Sequence, residues 1–149
     1  MLRFLTLGLL LFGLSAASPA NWSWQAIDTG LEAAAKADRL LLLQVYAEWC
    51  HECHKLEADM RSNPTLARLL QEHFVPARLD IQSHRQVLYQ GEALSEEQLS
   101  RKLRIPGPPV LMILSPDGKQ LGRLIGYRPP DQVTGFLAQL RNKYVQSKP

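Results

Sequence analysis

The two cysteines of the chain, Cys50 and Cys53, are separated by two residues. They directly follow an apolar run, residues 40–46, that predicts a buried strand, and they begin a segment with the spacing of a helix. Unpaired backbone N–H groups and the helix dipole stabilise a thiolate at a helix start, so the pKa of a cysteine there falls and its sulfur becomes nucleophilic. This placement predicts a redox site in which the second cysteine, one helical turn further on, resolves a mixed disulfide.

The first twenty residues have the pattern of a secretory signal peptide. Arg3 gives a positive start, residues 4–14 are apolar, and the small residues 15–20 allow cleavage after Ala17 or Ala20. The apolar stretch is shorter than the roughly 20 residues of a spanning helix, so we predict an exported, periplasmic protein whose mature chain does not span the membrane. A disulfide across two residues constrains an exported chain very little, which favours a chemical role for the pair.

The composition indicates one globular domain. The chain has 149 residues, 46% of them hydrophobic, and a formal net charge of +3. Its basic residues are scattered, so we expect no nucleic-acid partner. We therefore divide the chain into a signal peptide at residues 1–20, a domain at residues 21–145 and a polar tail at residues 146–149.

The hydrophobic pattern predicts the order helix, strand, helix, strand, helix, strand, strand, helix. This order is typical of an α/β fold with a mixed central sheet covered by helices on both faces. Capping boxes at Thr29 and Ser95 predict two helix starts, and Pro64 is expected to end one helix and begin another. Pro76 predicts that the second strand lies at an edge. We interpret residues 82–94 as a loop with a partial helix around residues 87–89.

Two motifs together resemble a known family. Trp49-Cys50-x-x-Cys53 follows the buried strand, and Gly107-Pro108-Pro109 precedes an apolar strand, a hairpin and a final helix. The chain resembles the thioredoxin superfamily over residues 24–145. Within that superfamily, residues 46–57 are most similar to the C-terminal periplasmic domain of the thiol:disulfide interchange protein DsbD and to related exported thioredoxin-like proteins.

The resemblance implies a thioredoxin fold and a protein thiol:disulfide oxidoreductase, reductase-like because the DsbD domain delivers electrons. Cys50 would be the exposed attacking thiol and Cys53 the buried resolving thiol. Trp49, Pro108 and Pro109 would bind the partner, with Pro109 in the position of the family's cis proline. The implied partners are protein disulfides and a redox partner such as a membrane thiol:disulfide electron donor. No cofactor or metal is expected.

The sequence departs from the thioredoxin pattern beside the cysteines. Thioredoxins have a buried aspartate six residues before the first cysteine, where this chain has Gln44, which cannot ionise. Glu57 lies one turn beyond Cys53 and matches a glutamate of the DsbD domain, so it is a candidate for the proton transfer. The alternative is that Glu57 only pairs with Arg61 at i+4. The dipeptide between the cysteines, residues 51–52, has a histidine and a glutamate with opposing effects on the thiolate.

Two other classes of protein remain open from the sequence. Cys50-x-x-Cys53-His54 also satisfies the attachment motif of c-type haem, for which Met60 or Met112 would have to be the distal ligand. Alternatively, the two cysteines with His51 or His54 could bind copper or zinc in a metallochaperone. The central-strand pattern argues against the first, and histidines at a helix start are commonly solvated polar residues.

Overall fold

A computed structural model describes residues 20–148, so the predicted signal peptide lies outside the described residues except for Ala20. One helix precedes β1, two successive helices connect β1 to β2, and the chain closes with a hairpin and a long helix. The elements are α1 Ile27–Ala37, β1 Leu40–Tyr46, α2 His51–Ser62, α3 Pro64–His73, β2 Phe74–Asp80, β3 Gln86–Tyr89, β4 Glu92–Ser95, α4 Glu96–Lys102, β5 Val110–Leu114, β6 Gln120–Ile125 and α5 Pro130–Ser147.

Four strands form a mixed sheet in the order β2-β1-β5-β6. Strands β1 and β2 are parallel, whereas β5 is antiparallel to both β1 and β6. This confirms the predicted α/β fold with a mixed central sheet, and it places β2 at an edge, as Pro76 predicted. At the free edge of β2, Gln25 forms an isolated parallel bridge to Ala77, which ties the segment before α1 to the sheet.

Strand β1 is buried on both faces, so alternate side chains enter different cores. Leu41, Leu43 and Val45 pack in a cluster that also contains residues of α1 and α4. Leu40 and Leu42 pack in a second cluster with residues of α2, α3 and α5. Because side chains alternate along a strand, Gln44 points to the same face as Leu40 and Leu42, which is the face that α2 covers.

The helix boundaries follow local capping chemistry in the middle of the chain. The predicted capping box at Ser95 is confirmed, since the Ser95 side chain and the Gln98 side chain each bind the other's backbone N–H. The predicted break at Pro64 is also confirmed. Asn63 ends α2 and caps α3 by accepting a hydrogen bond from the Leu66 N–H at 3.0 Å.

Three local expectations differ from the structure. Helix α1 begins at Ile27 without a side-chain cap, and the Thr29 hydroxyl donates to the Ala26 carbonyl instead of capping the helix. Residues 86–95 form the β3–β4 hairpin and not a loop with a partial helix. The final helix continues to Ser147, beyond the predicted start of the polar tail at residue 146.

Candidate active site

Cys50 and Cys53 are joined by a disulfide at the start of α2, with their Cα atoms 5.3 Å apart. Cys50 is the N-cap residue of the helix, and its Sγ accepts a hydrogen bond from the Cys53 N–H at 3.2 Å. The sulfur thus occupies the place that a serine or aspartate oxygen takes in an ordinary cap. A thiolate formed at Cys50 meets the same N–H and the positive end of the helix dipole, which is the environment that the sequence predicted.

The two cysteines differ slightly in exposure and strongly in their surroundings. Cys53 is fully buried, whereas Cys50 retains 4% exposure and its neighbour Trp49 is 64% exposed. Tyr46 and Ala47 pack against both cysteines. Both cysteines are thus buried while the disulfide is closed, so the exposure expected for Cys50 is not seen in this form. The exposed indole ring beside Cys50 offers apolar area to an approaching chain.

The Pro108–Pro109 peptide bond is cis. Pro109 directly precedes β5, whose first residue, Val110, pairs with Val45 near the end of β1. The chain leaves β1 at this end of the sheet to reach Cys50, so the register brings the proline turn and the disulfide turn to the same end. The Pro109 carbonyl accepts a hydrogen bond from the Gly126 N–H at 2.8 Å, which ties the proline turn to the end of β6.

Gln44 is completely buried at the position where thioredoxins have an aspartate. Its Nε2 donates to the Cys53 carbonyl at 3.2 Å, and its Oε1 accepts from Nε and a terminal nitrogen of Arg78 at 3.3 and 2.9 Å. Arg78 is the register partner of Gln44 on β2. A neutral amide and a guanidinium therefore lie where the resemblance led us to look for a buried acid.

Glu57 belongs to the same polar group. One carboxylate oxygen accepts from the Trp24 indole N–H at 2.8 Å and from Arg61, and the other accepts from Arg78. Burial by itself raises the pKa of the Glu57 carboxyl, but the hydrogen bonds from Trp24 and Arg61 and the charge of Arg78 outweigh it, so the pKa lies below its ordinary value. The pairing with Arg61 that we considered from the sequence is present, and the proton-transfer role stays a prediction.

Arg78 is a site residue that the sequence motifs did not indicate. Its guanidinium lies between two aromatic rings, 4.6 Å from the centroid of Trp24 and 4.2 Å from that of Tyr46. The bridge between Gln25 and β2 holds Trp24 in place for this contact. One signal could have found the arginine: apart from Asp80, it is the only charged residue in the segment 74–80 that forms β2.

A second set of contacts surrounds the end of β1. The Tyr46 hydroxyl donates to the Glu48 carboxylate at 2.6 Å, and burial together with this bond raises the pKa of Tyr46 to about 12. His54 Nε2 lies 2.9 Å from the Glu48 carbonyl oxygen, and its ring meets Tyr46 edge to face at 5.5 Å between centroids. These contacts hold the turn that leads to Cys50, and His54 takes part in them as a donor.

The c-type haem alternative finds less support in this geometry. Met60 and Met112, the candidate distal haem ligands, are fully buried in the two separate hydrophobic clusters on either side of the sheet. Within residues 20–148, no three side chains of histidine, cysteine, aspartate or glutamate are grouped so that they could hold a metal ion. Over the same residues, no helix combines the length and the apolar character needed to cross a bilayer.

A dithiol or disulfide at a helix N-terminus, beside a cis proline and on a mixed four-stranded sheet, defines the thioredoxin-like class of disulfide oxidoreductase folds. A family model described as a thioredoxin-like domain matches residues 27–141. The chain belongs to this thioredoxin-like family.

Comparison with known proteins supports this membership. The chain is 32% identical over 94 residues to thiol:disulfide interchange protein DsbD 2 of Pseudomonas aeruginosa; the match covers 63% of this chain and 14% of that protein. The chain thus spans about a seventh of the length of this relative. Among solved structures, a thioredoxin from Thermus thermophilus is 28% identical, with a TM-score of 0.63 over 78% of this chain and 85% of that one. The C-terminal domain of Neisseria meningitidis DsbD in its oxidised form is similar in fold, at 20% identity and a TM-score of 0.57 over 80% of this chain and 100% of that one.

Proposed function

We propose that this protein is an exported, periplasmic thiol:disulfide oxidoreductase that exchanges disulfides with partner proteins and acts mainly as a reductase. One observation carries the proposal: Cys50 is the N-cap residue of α2 next to the exposed Trp49, while Cys53, one turn further on, is completely buried. The two thiols therefore have different tasks. The relative named for thiol:disulfide interchange supports the same reaction, and the lean towards reduction rests on that similarity.

In the reducing direction, the Cys50 thiolate attacks a partner disulfide. A bond forms between Cys50 and one partner sulfur, the partner's disulfide breaks, and its other sulfur leaves as a thiolate. Cys53 then loses its proton, attacks the Cys50 sulfur and closes the internal disulfide, which releases the second partner thiolate. Two electrons pass from the cysteine pair to the partner. A membrane thiol:disulfide electron donor would regenerate the dithiol.

Three further residues are proposed to bind the partner. Trp49 is exposed beside Cys50, and Pro108 and Pro109 form the cis turn at the same end of the sheet. Glu57 is proposed to accept the proton of Cys53, because it follows Cys53 by one turn on the same face of α2. The hydrogen bonds through Arg78 and Gln44 reach the Cys53 carbonyl and not its thiol. Its lowered pKa makes it a weak base, so the proton would pass on quickly to solvent.

The thiol chemistry is tested by single cysteine variants in an insulin-reduction assay with a dithiol donor. Cys50→Ala should abolish turnover. In the absence of the dithiol donor, reduced Cys53→Ala should trap a covalent complex with insulin that added reductant releases. Because the chain has two cysteines, a complex trapped in the second variant must be linked through Cys50. Turnover that survives Cys50→Ala would disprove the mechanism. A haem protein would instead show Soret absorption after purification under reducing conditions.

Export is tested separately by expressing the full chain in a bacterial host and determining the N-terminus of the protein in the periplasmic fraction. Ala20 exchanges backbone and side-chain hydrogen bonds with Arg61. Cleavage after Ala17 keeps these contacts in the mature protein, and cleavage after Ala20 removes them. Recovery of an uncleaved chain in the cytoplasm would contradict the export proposal.

The direction of electron flow needs a third measurement. Equilibration of the cysteine pair with a glutathione redox buffer gives its reduction potential. A reductase should give up electrons more readily than glutathione does, so the reduction potential of its cysteine pair should be lower than that of glutathione. A potential well above that of glutathione would overturn the reductase assignment and leave the exchange mechanism intact.

A further inference from the structure

The hydrogen bonds around Gln44 have one consistent orientation. Arg78 has only donors, so it can face only the oxygen of the Gln44 amide. The Cys53 carbonyl is only an acceptor, so it faces the amide nitrogen, at 3.2 Å. Gln44 is completely buried, so bulk solvent does not reach either end of its amide. Arg78 therefore determines that a donor, and not an oxygen, meets the backbone of the resolving cysteine.

The guanidinium itself is fixed more firmly than a surface arginine. It lies against the Trp24 and Tyr46 rings, and one of its terminal nitrogens donates hydrogen bonds to both Gln44 and Glu57. Planar geometry and delocalised charge suit arginine to such a site, where a lysine offers only a point charge. Arg78 and Arg61 both donate to the Glu57 carboxylate, so two guanidinium groups share one carboxylate on the side that faces Gln44. The other acidic groups nearby are Glu48, which accepts from the Tyr46 hydroxyl, and Asp80 at the end of β2.

We propose that Arg78 is a positioning residue for the resolving step: it orients the Gln44 amide so that a donor meets the Cys53 carbonyl, and its guanidinium, two hydrogen bonds from that carbonyl, favours the Cys53 thiolate that attacks the mixed disulfide. The inference rests on the proposed disulfide exchange. In that step the Cys53 proton goes to Glu57 or solvent, the Cys50–Cys53 bond forms, and the partner sulfur leaves with the bonding pair. The positive charge replaces help from a buried acid, which Gln44 cannot give.

Stopped-flow reaction of the reduced protein with a chromogenic aryl disulfide separates the two steps, because each releases one coloured thiolate. The first phase reports attack by Cys50 and the second reports attack by Cys53. Suppose that loss of the charge lowers the thiolate fraction of Cys53 about tenfold. A thiolate with a higher pKa is also more nucleophilic, and this offsets nearly half of the loss in the logarithm of the rate. The second phase should therefore slow about threefold.

Arg78→Met should therefore slow the second phase about threefold and leave the first unchanged. Arg78→Lys keeps the charge and should recover part of the rate. Gln44→Met should slow the second phase similarly, and the double variant should be no slower than either single one, because both interrupt one link. The matched control is Arg61→Met, which removes the same charge from Glu57 but no contact with Gln44.

Several results would overturn the proposal. Equal slowing by Arg61→Met and Arg78→Met would show that the effect passes through Glu57 alone. Equal slowing of both phases, or no rescue by lysine, would show a merely structural role. If Arg78→Met does not fold, Arg78→Lys and Gln44→Met still carry the test. A wild-type protein that releases no coloured thiolate would refute the disulfide exchange itself, a result distinct from all of these.

Discussion

Replacement of Glu57 by glutamine tests whether its carboxylate stabilises the fold at neutral pH. The carboxylate accepts hydrogen bonds from Trp24, Arg61 and Arg78, all of which are donors only. An amide has one oxygen, so if that oxygen stays with Trp24 and Arg61, the new NH2 group faces Arg78 donor to donor. The variant thus loses one charged hydrogen bond and sets two donors against each other.

The size of the effect follows from burial. A hydrogen bond to a charged group contributes roughly 1.5–3 kcal/mol. The side chains of Glu57 and Arg78 are 20% and 23% exposed, so solvent screening removes part of this. We expect Glu57→Gln to lower the free energy of unfolding by about 2 kcal/mol, which for a domain of this size is a fall in melting temperature of roughly 5–10 °C.

The pH dependence has a definite sign. The pKa of Glu57 in the folded protein lies below its ordinary value of 4.5, so its contribution is present above that value and disappears as the pH falls through the folded pKa. The difference in stability between the wild type and Glu57→Gln should therefore be largest at neutral pH and should close under acid conditions. Urea denaturation of the oxidised proteins at several pH values measures it.

The control for this experiment is Glu32→Gln, which removes a carboxylate from the exposed face of α1. It should change the free energy of unfolding by less than about 0.5 kcal/mol. Equal stability of the wild type and Glu57→Gln at neutral pH would refute the reasoning. So would a difference between them that widens as the solution is acidified.

Two further predictions concern the cap of α3 and the end of β1. Asn63→Ala removes the cap that accepts from Leu66 and should lower the free energy of unfolding by about 1 kcal/mol in urea denaturation, while Asn63→Asp should restore most of it; equal losses in both would contradict a capping role. In an alkaline absorbance titration, one phenol should ionise near pH 12, and Tyr46→Phe should remove that transition, whereas Tyr89, whose pKa is also raised by burial, should titrate late in both proteins. If the variant keeps the transition near pH 12, the assignment to Tyr46 is wrong.

The capping signals show where local sequence is enough to predict structure. Both hydrogen bonds of the box at Ser95 lie within four residues, so the pattern alone predicts them. The same pattern at Thr29 fails because α1 starts two residues earlier, at Ile27, whose side chain is completely buried in the core. Burial of a large apolar side chain there outweighs a cap that contributes about 1 kcal/mol.

The sequence pattern does not indicate the β3–β4 hairpin, because both its strand period and its turn residues are weak evidence for one. Its buried residues on β3, Val87 and Tyr89, alternate with exposed ones over only four positions, which is too short for a clear period. The turn residues Gln90 and Gly91 both have positive φ angles, 51° and 81°. Such turns usually carry asparagine or aspartate before the glycine, and glutamine at that place does not indicate a hairpin.

Part of the site can be predicted from neighbouring residues in the sequence, and part depends on residues that are far apart in the chain. Cys50 and Cys53 could be found from sequence because a strand, a turn and a helix start place them within a few residues of one another. Gln44 could be recognised as unusual, but its meaning depends on Arg78, which lies 34 residues away. The parallel register that makes them partners is set by hydrophobic packing along both strands and not by either polar residue. The orientation of a buried glutamine beside a redox pair therefore depends on the residue opposite it on the next strand. That residue decides which end of the amide faces the cysteine.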